Sequence, residues 1–240
     1  MKRVIDYWLK IPPEIKQDYL SVKHIICDGT LLKRNVGIYS VMDASNKQIL
    51  KGSYGVKEGV KDLLPFYTSL AGLGLNPISA TVDGNPQQIK YLREVWPSII
   101  IQRCIVHVQR QGLSWCRRTP KRTEAKHLRE LFIGICDIFS TQEAQRFTLD
   151  FKKWENRYGS MIQHSTNRGK VFSDIIRARS MLTKALPDLF HYLDNPNIPR
   201  STNALEGYFS RLKEHYRLHR GLSKSKRKNY FNWYFYFKLK

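Results

Sequence analysis

Val22-Lys-His-Ile-Ile-Cys-Asp28-Gly29-Thr30 is the stretch on which the reading of this chain turns. An apolar, β-branched run stops at an aspartate followed by glycine, as a buried strand does when it ends in a carboxylate. The pattern returns at Pro77-Ile-Ser-Ala-Thr-Val-Asp83-Gly84. Asp-Gly is first of all a turn signal, so either aspartate read by itself marks a strand closing in a tight turn. Placement among the other elements changes that reading.

Outward from the first run, residues 35–44 and 47–54 read as two more strands, joined by a turn at 43–46. Three strands with such short links predict an antiparallel meander. Over residues 57–73 the apolar positions Val60, Leu63, Leu64, Tyr67, Leu70 and Ala71 recur with helical period. Residues 77–83 then form a fourth strand, 87–95 a short helix opened near Pro86, and 98–103 a fifth strand. This alternation belongs to parallel β-α-β units. The order sets strand 4 beside strand 1, with Asp28 and Asp83 side by side near the carboxyl ends of neighbouring parallel strands. Open α/β sheets bind ligands there. Two carboxylates so close repel, and a divalent cation is the usual resolution.

After Cys104 the pattern changes to helical periods with no strand before Leu193. Helices are expected over 104–117, 123–138, 141–158 and 170–186, separated by Thr119-Pro120, Ser140-Thr141 and Gly159-Ser160. A last amphipathic helix, 202–218, contains Asn203-Ala-Leu-Glu206-Gly207. Asn203-x-x-Glu206 has the form of a capping box, in which Asn203 caps the helix and Glu206 reaches back. A first-turn glutamate on a pinned helix is equally well placed to reach a neighbouring site, and the two readings are compatible. Glu214, eight residues on and roughly on the same face, is the fallback. Arg211, Lys213, Arg217 and Arg220 supply charge suited to backbone phosphates. Lys224-Ser-Lys-Arg-Lys228 reads as a localisation signal or a solvated basic face. The aromatic run 230–237 is expected to pack onto the domain rather than stack on bases, because exposed it would drive aggregation.

The 240 residues are 42% apolar and 12% aromatic, enough to build a core. Lysine and arginine number 41 against 20 acidic residues, a formal charge of +21, which makes a polyanion the natural partner. Cys27, Cys104, Cys116 and Cys136 have neither zinc-ribbon spacing nor a disulfide framework, so a reduced, intracellular setting is expected. The first ten residues lack the apolar stretch of a signal peptide, and 230–237 is too short to span a bilayer. A soluble protein is expected. Cys104-Ile-Val-His107 is half a metal motif; Cys116 and His127 complete no familiar zinc spacing, and a buried pair at the strand-to-helix junction is the plain reading.

Four signatures then stand in order: Asp28-Gly29-Thr30, Val82-Asp83-Gly84, Cys104-x-x-His107 and Thr202-Asn203-x-x-Glu206-Gly207. Together they resemble the catalytic domain of DDE transposases, close to the bacterial insertion-sequence relatives of the Mutator-like (MULE) superfamily. Arg220-Gly221-Leu222 extends the likeness, which covers about residues 20–238. The resemblance implies an α/β, ribonuclease H-like mixed five-stranded sheet with an all-α insertion between strand 5 and the glutamate helix. Residues 1–20 would be an N-terminal lead-in, 21–104 the first part of the core, 105–198 the insertion, and 199–240 the glutamate helix and basic, aromatic end.

The same resemblance implies Mg²⁺-dependent DNA cleavage and strand transfer in transposition. Asp28, Asp83 and Glu206 would hold two Mg²⁺ ions about 3.5–4 Å apart, with Mn²⁺ as a substitute. His107 would contact the scissile phosphate or orient a carboxylate, and Asn203, Arg211, Lys213, Arg217 and Arg220 would bind DNA. The implied partners are transposon ends and target DNA, with a homodimer forming on DNA, no membrane, and a cytoplasmic, nucleoid-associated location in a bacterium. Family members carry a sizeable N-terminal DNA-binding region, whereas about 20 residues precede the first strand here. A truncated or split reading frame, or a separate DNA-binding module, is the expectation. The competing readings are a ribonuclease H-like nuclease or resolvase that cuts without joining, and a DNA-binding remnant whose catalysis has lapsed.

Overall fold

A computed structural model describes residues 7–13, 18–32, 36–56, 62–164, 169–219 and 221–237. Residues 57–61 of the first expected helix and Arg220 lie outside the described residues. The strands are β1 (His24–Leu31), β2 (Gly37–Asp43), β3 (Ile49–Tyr54), β4 (Ser79–Val82) and β5 (Ile100–Arg103). The helices are α1 (Leu63–Gly72), α2 (Pro86–Val95), α3 (Ile105–Cys116), α4 (Thr123–Gly134), α5 (Thr141–His164), α6 (Lys170–Ala185), α7 (His191–Asp194), α8 (Asn203–Arg217) and α9 (Lys224–Phe237). Two compact units result: Met1–Ile101 with Asn197–Lys240, and Gln102–Pro196.

The sheet has the order β3-β2-β1-β4-β5. β1–β2 and β2–β3 are antiparallel and β1–β4 is parallel, so the sheet is mixed. The meander is sharp because Asp43 Oδ1 accepts from both the amide and the hydroxyl of Ser45, each at 2.8 Å, which fixes the β2–β3 turn. A register shift follows: Val41 pairs with Lys51 and Met42 with Ile49, leaving Leu50 as the extra residue of a bulge.

Alternation along the strands separates two apolar faces. Ile25, Cys27, Tyr39, Val41, Ala80 and Val82 pack with α1 and α2 through Leu63, Phe66, Tyr67, Leu70 and Leu92. Ile26, Ile38, Met42 and Ile49 pack with α8 and α9, through Leu205, Phe209, Leu212, Phe231 and Phe235. Each such side chain fully withdrawn from water contributes about 1.5–3 kcal/mol. The basic segment and the aromatic run are one helix, α9, whose buried stripe is Phe231 and Phe235, one turn apart. The ring of Phe235 lies over Gly52, where an added Cβ would sit 2.4 Å from it. The aromatic run therefore packs onto its own unit. Trp233 Nε1 also donates to Trp8 O and Ile11 O, both at 2.9 Å.

Among the described residues the second unit is helical beyond the end of β5, at positions within a few residues of those expected. The largest difference is α5, which runs through Gly159 to His164 instead of stopping at 158. A Cβ at Gly159 would meet Glu155 Oε1 at 2.2 Å. Glu155 occupies that space while accepting from Arg179 Nε on α6, at 3.0 and 2.9 Å to its two oxygens. α5 opens with a capping box: Ser140 Oγ accepts from Glu143 N at 3.2 Å, and Glu143 Oε2 accepts from Ser140 N at 2.9 Å. Burial pushes the thiol of Cys116 up to about 12. No helix of the described residues is long and apolar enough to cross a membrane.

Candidate active site

β1 and β4 pair in register at His24–Ser79, Ile25–Ala80 and Ile26–Thr81. Carried two steps past the last paired residues, the same register would bring Asp28 level with Asp83. Ile26 faces α8, and so by alternation does Asp28. Ala80 and Val82 face the other way, which leaves Thr81 on the α8 side, with Asp83 just beyond the strand end. Thr81 Oγ1 donates to Pro199 O at 2.6 Å on that side and anchors the segment that leads into α8.

The two Asp-Gly pairs differ. β1 continues past Asp28 to Leu31, with Gly29 opposite Tyr39 and Thr30 opposite Ile38, so the turn reading fails at Asp28 and the aspartate lies within the strand. Its side chain is buried, 6% exposed, and its Oδ1 accepts from Gly29 N at 2.8 Å. Asp83 is the first residue beyond β4, and Gly84 makes the turn with a φ of 104°. Asp83 Oδ1 accepts from Asn85 N at 3.0 Å, and Asn85 Oδ1 caps α2 by accepting from Gln87 N at 3.0 Å.

Glu206 lies in the first turn of α8, next to Leu205, which packs in the same cluster as Ile26. Its Oε1 is buried. The expected capping box is not formed. Thr202, not Asn203, occupies the cap position and makes no side-chain cap bond, and Asn203 is already helical and exposed. The first turn is closed by main chain, with Leu205 N and Glu206 N donating to Thr202 O at 2.9 and 3.1 Å. Glu206 is thereby one position past the place a capping-box glutamate would hold.

Asp28 and the helix bearing Glu206 thus lie on one face of the sheet, and Asp83 follows the end of the neighbouring strand β4. Among the described residues, no three histidine, cysteine, aspartate or glutamate side chains stand close enough to hold an ion, so Glu206 is not gathered with the aspartates into a closed ligand set. Carboxylate oxygens are the donors that a hard divalent cation takes. Asp43, equally buried, is engaged in its turn, and Glu214 is exposed on α8. Arg211, Lys213 and Arg217 are exposed on α8. His107 is half-buried in the first turn of α3, in the second unit, and Cys104 is fully buried at the cap position before it.

Two residues near the pair went unmarked in the sequence. Thr81 is one. The other is Ser40, directly opposite Asp28 on β2, fully buried and with no hydrogen-bond partner for its hydroxyl among the described residues. A serine or threonine inside an apolar strand carries no sequence signal of such a position.

A family model described as "Transposase, Mutator family" matches residues 22–220, a span that contains all three acidic positions and His107. No curated protein matches the chain.

Proposed function

The chain belongs to the Mutator family of transposases, and on that premise we propose that it cuts and joins DNA at a metal-dependent acidic site built on Asp28, Asp83 and Glu206. The observation that supports the reading is the register of β1 with β4, which, continued two residues past its last pair, would level the two aspartates on the face where α8 begins. The strand order, an antiparallel meander followed by a parallel β4 beside β1, supports a ribonuclease H-like core. The charge of +21 supports a polyanionic substrate.

Asp28 and Asp83 would hold a cation between them, and Glu206 would complete the set. Two Mg²⁺ ions, or Mn²⁺, would supply an activated water or DNA 3′-hydroxyl and stabilise the departing 3′ oxygen. The chain itself supplies position and charge. Arg211, Lys213 and Arg217 on α8 would grip backbone phosphates, fixing the DNA without reading its sequence. A homodimer on transposon ends completes the reading.

Asp28→Asn and Asp83→Asn should each abolish cleavage of a labelled transposon-end duplex in Mg²⁺ while retaining its binding in EDTA. Full cleavage by either variant overturns the assignment. A labelled acceptor duplex in the same reactions separates transposition from nuclease chemistry: joined product is expected, and cutting without joining identifies a nuclease.

A further inference from the structure

The paired register of β1 with β4 ends at Ile26–Thr81, two residues short of both aspartates. Past that point a side chain ties the two segments together. Gln88, near the start of α2, is fully buried, and its Nε2 donates to Cys27 O at 3.3 Å and to Tyr39 Oη at 2.5 Å. A carbonyl oxygen only accepts, so the amide nitrogen, and not its oxygen, must face Cys27. The Tyr39 hydroxyl is hydrogen-bonded in turn to that of Tyr67 on α1. Burial holds the Tyr39 phenol well above its ordinary range, so it stays a neutral hydroxyl.

Gln88 is itself fixed with respect to Asp83. Asn85 Oδ1 accepts from Gln87 N and Gln88 N, at 3.0 and 3.5 Å, and Asn85 N donates to Asp83 Oδ1 at 3.0 Å. Covalent and hydrogen bonds thus run from Asp28 through Cys27, Gln88 and Asn85 to Asp83. The amide tie lies on the α1–α2 face of the sheet, behind the carboxylates. We propose that Gln88 is a positioning residue that sets the separation of Asp28 and Asp83, and with it the affinity of the pair for a divalent cation. The inference rests on the acidic-site reading above.

Loss of an outer partner of a metal ligand costs about 10–100-fold in metal affinity. A network that served stability alone would lower the unfolding free energy and leave cation affinity untouched. The full chain, titrated calorimetrically with Mn²⁺ in the absence of DNA, separates the two. Gln88→Met should weaken Mn²⁺ binding by about 10-fold or more, with affinity for DNA in EDTA unchanged. Tyr67→Phe cuts the same network at its far end; it should lose stability to urea while binding Mn²⁺ as the wild type does. If Gln88→Met does not fold, Gln88→Asn keeps the amide but is one methylene too short to reach Cys27, and should give the same loss.

Mn²⁺ affinity within about twofold of wild type in a folded Gln88 variant, with binding abolished in Asp83→Asn, overturns the positioning role and leaves the acidic site standing. Equal weakening in Tyr67→Phe also overturns it, since the effect would then follow the network and not the tie to Cys27. Undiminished Mn²⁺ binding by Asp83→Asn overturns the acidic-site reading, and this inference with it.

Discussion

The hydroxyl of Thr81 donates to the main-chain oxygen of Pro199 at 2.6 Å, joining positions 118 residues apart. Thr81 stands two residues before Asp83, and Pro199 lies on the segment that enters α8. One part-buried bond therefore ties the strand that precedes the second aspartate to the approach of the glutamate helix. Thr81→Val keeps the shape and removes the donor, and should cost about 1–3 kcal/mol in urea unfolding. Thr81→Ser should be far milder. If the bond positions α8, Thr81→Val lowers the cleavage rate more than it lowers DNA affinity; equal losses would assign it to stability alone.

The exposed cations of α8 give a second expectation. Arg211→Gln, Lys213→Gln and Arg217→Gln should each weaken DNA binding across unrelated sequences and reduce the slope of log K against log salt by about 1. Anisotropy titrations over a series of KCl concentrations measure this directly. A slope left at the wild-type value in all three places the phosphate contacts elsewhere.

The capping box of α5 is pH-dependent. The amides of Phe139 and Ser140 donate to Glu143 Oε2 at 2.7 and 2.9 Å, and with the Ser140 hydroxyl nearby they hold its carboxyl below its ordinary value of 4.5. A depressed folded pKa contributes stability that is present above the ordinary value and is lost as pH falls through the lowered one. Glu143→Ala should therefore reduce Tm at neutral pH, and its curve should merge with wild type in acid below 4.5. A gap that persists undiminished in acid would rule out the carboxylate as its source.

Two glycines of the helical unit should respond in opposite directions to alanine. At Gly112 an added Cβ would lie 2.3 Å from the ring of Phe132, which is fully buried. Overpacking of about 1–3 kcal/mol outweighs the roughly 1 kcal/mol that alanine gains in a helix, so Gly112→Ala destabilises. Gly134, at φ −78° and with nothing within 4 Å of an added Cβ, should gain about 0.4–1 kcal/mol as alanine. Thermal melts of the two variants give the signs.

Much of this was legible in sequence because burial imposes a period. The β-branched runs at 24–28 and 79–82 and the helical stripes from 105 onward fall within a few residues of the observed elements. Where reading failed, a distant partner had overridden a local rule. Gly159 does not stop α5, because Glu155 fills its empty side while reaching Arg179. Ser140-x-x-Glu143 and Asn203-x-x-Glu206 have the same spacing, yet the first is a capping box and the second is not. Thr202, fully buried, takes the cap position, so Asn203 is already inside the helix. Asp28 and Asp83 share a dipeptide, but only Gly84 turns, since Gly29 is held opposite Tyr39 on β2. Gln88 reads as one more polar residue on an exposed helix, and nothing local marks it as turned inward.

The order in which these parts leave the ribosome matters too. Ile26, Ile38, Met42 and Ile49 are made early, but their cover, Leu205, Phe209, Phe231 and Phe235, follows only after Gln102–Pro196. A nascent chain therefore carries one face of its sheet wet and sticky through the whole synthesis of the helical unit. The residue that would complete the acidic site arrives on the helix that closes that face. A copy abandoned before α8 lacks both Glu206 and the apolar cover, and leaves that face of its sheet open to aggregation.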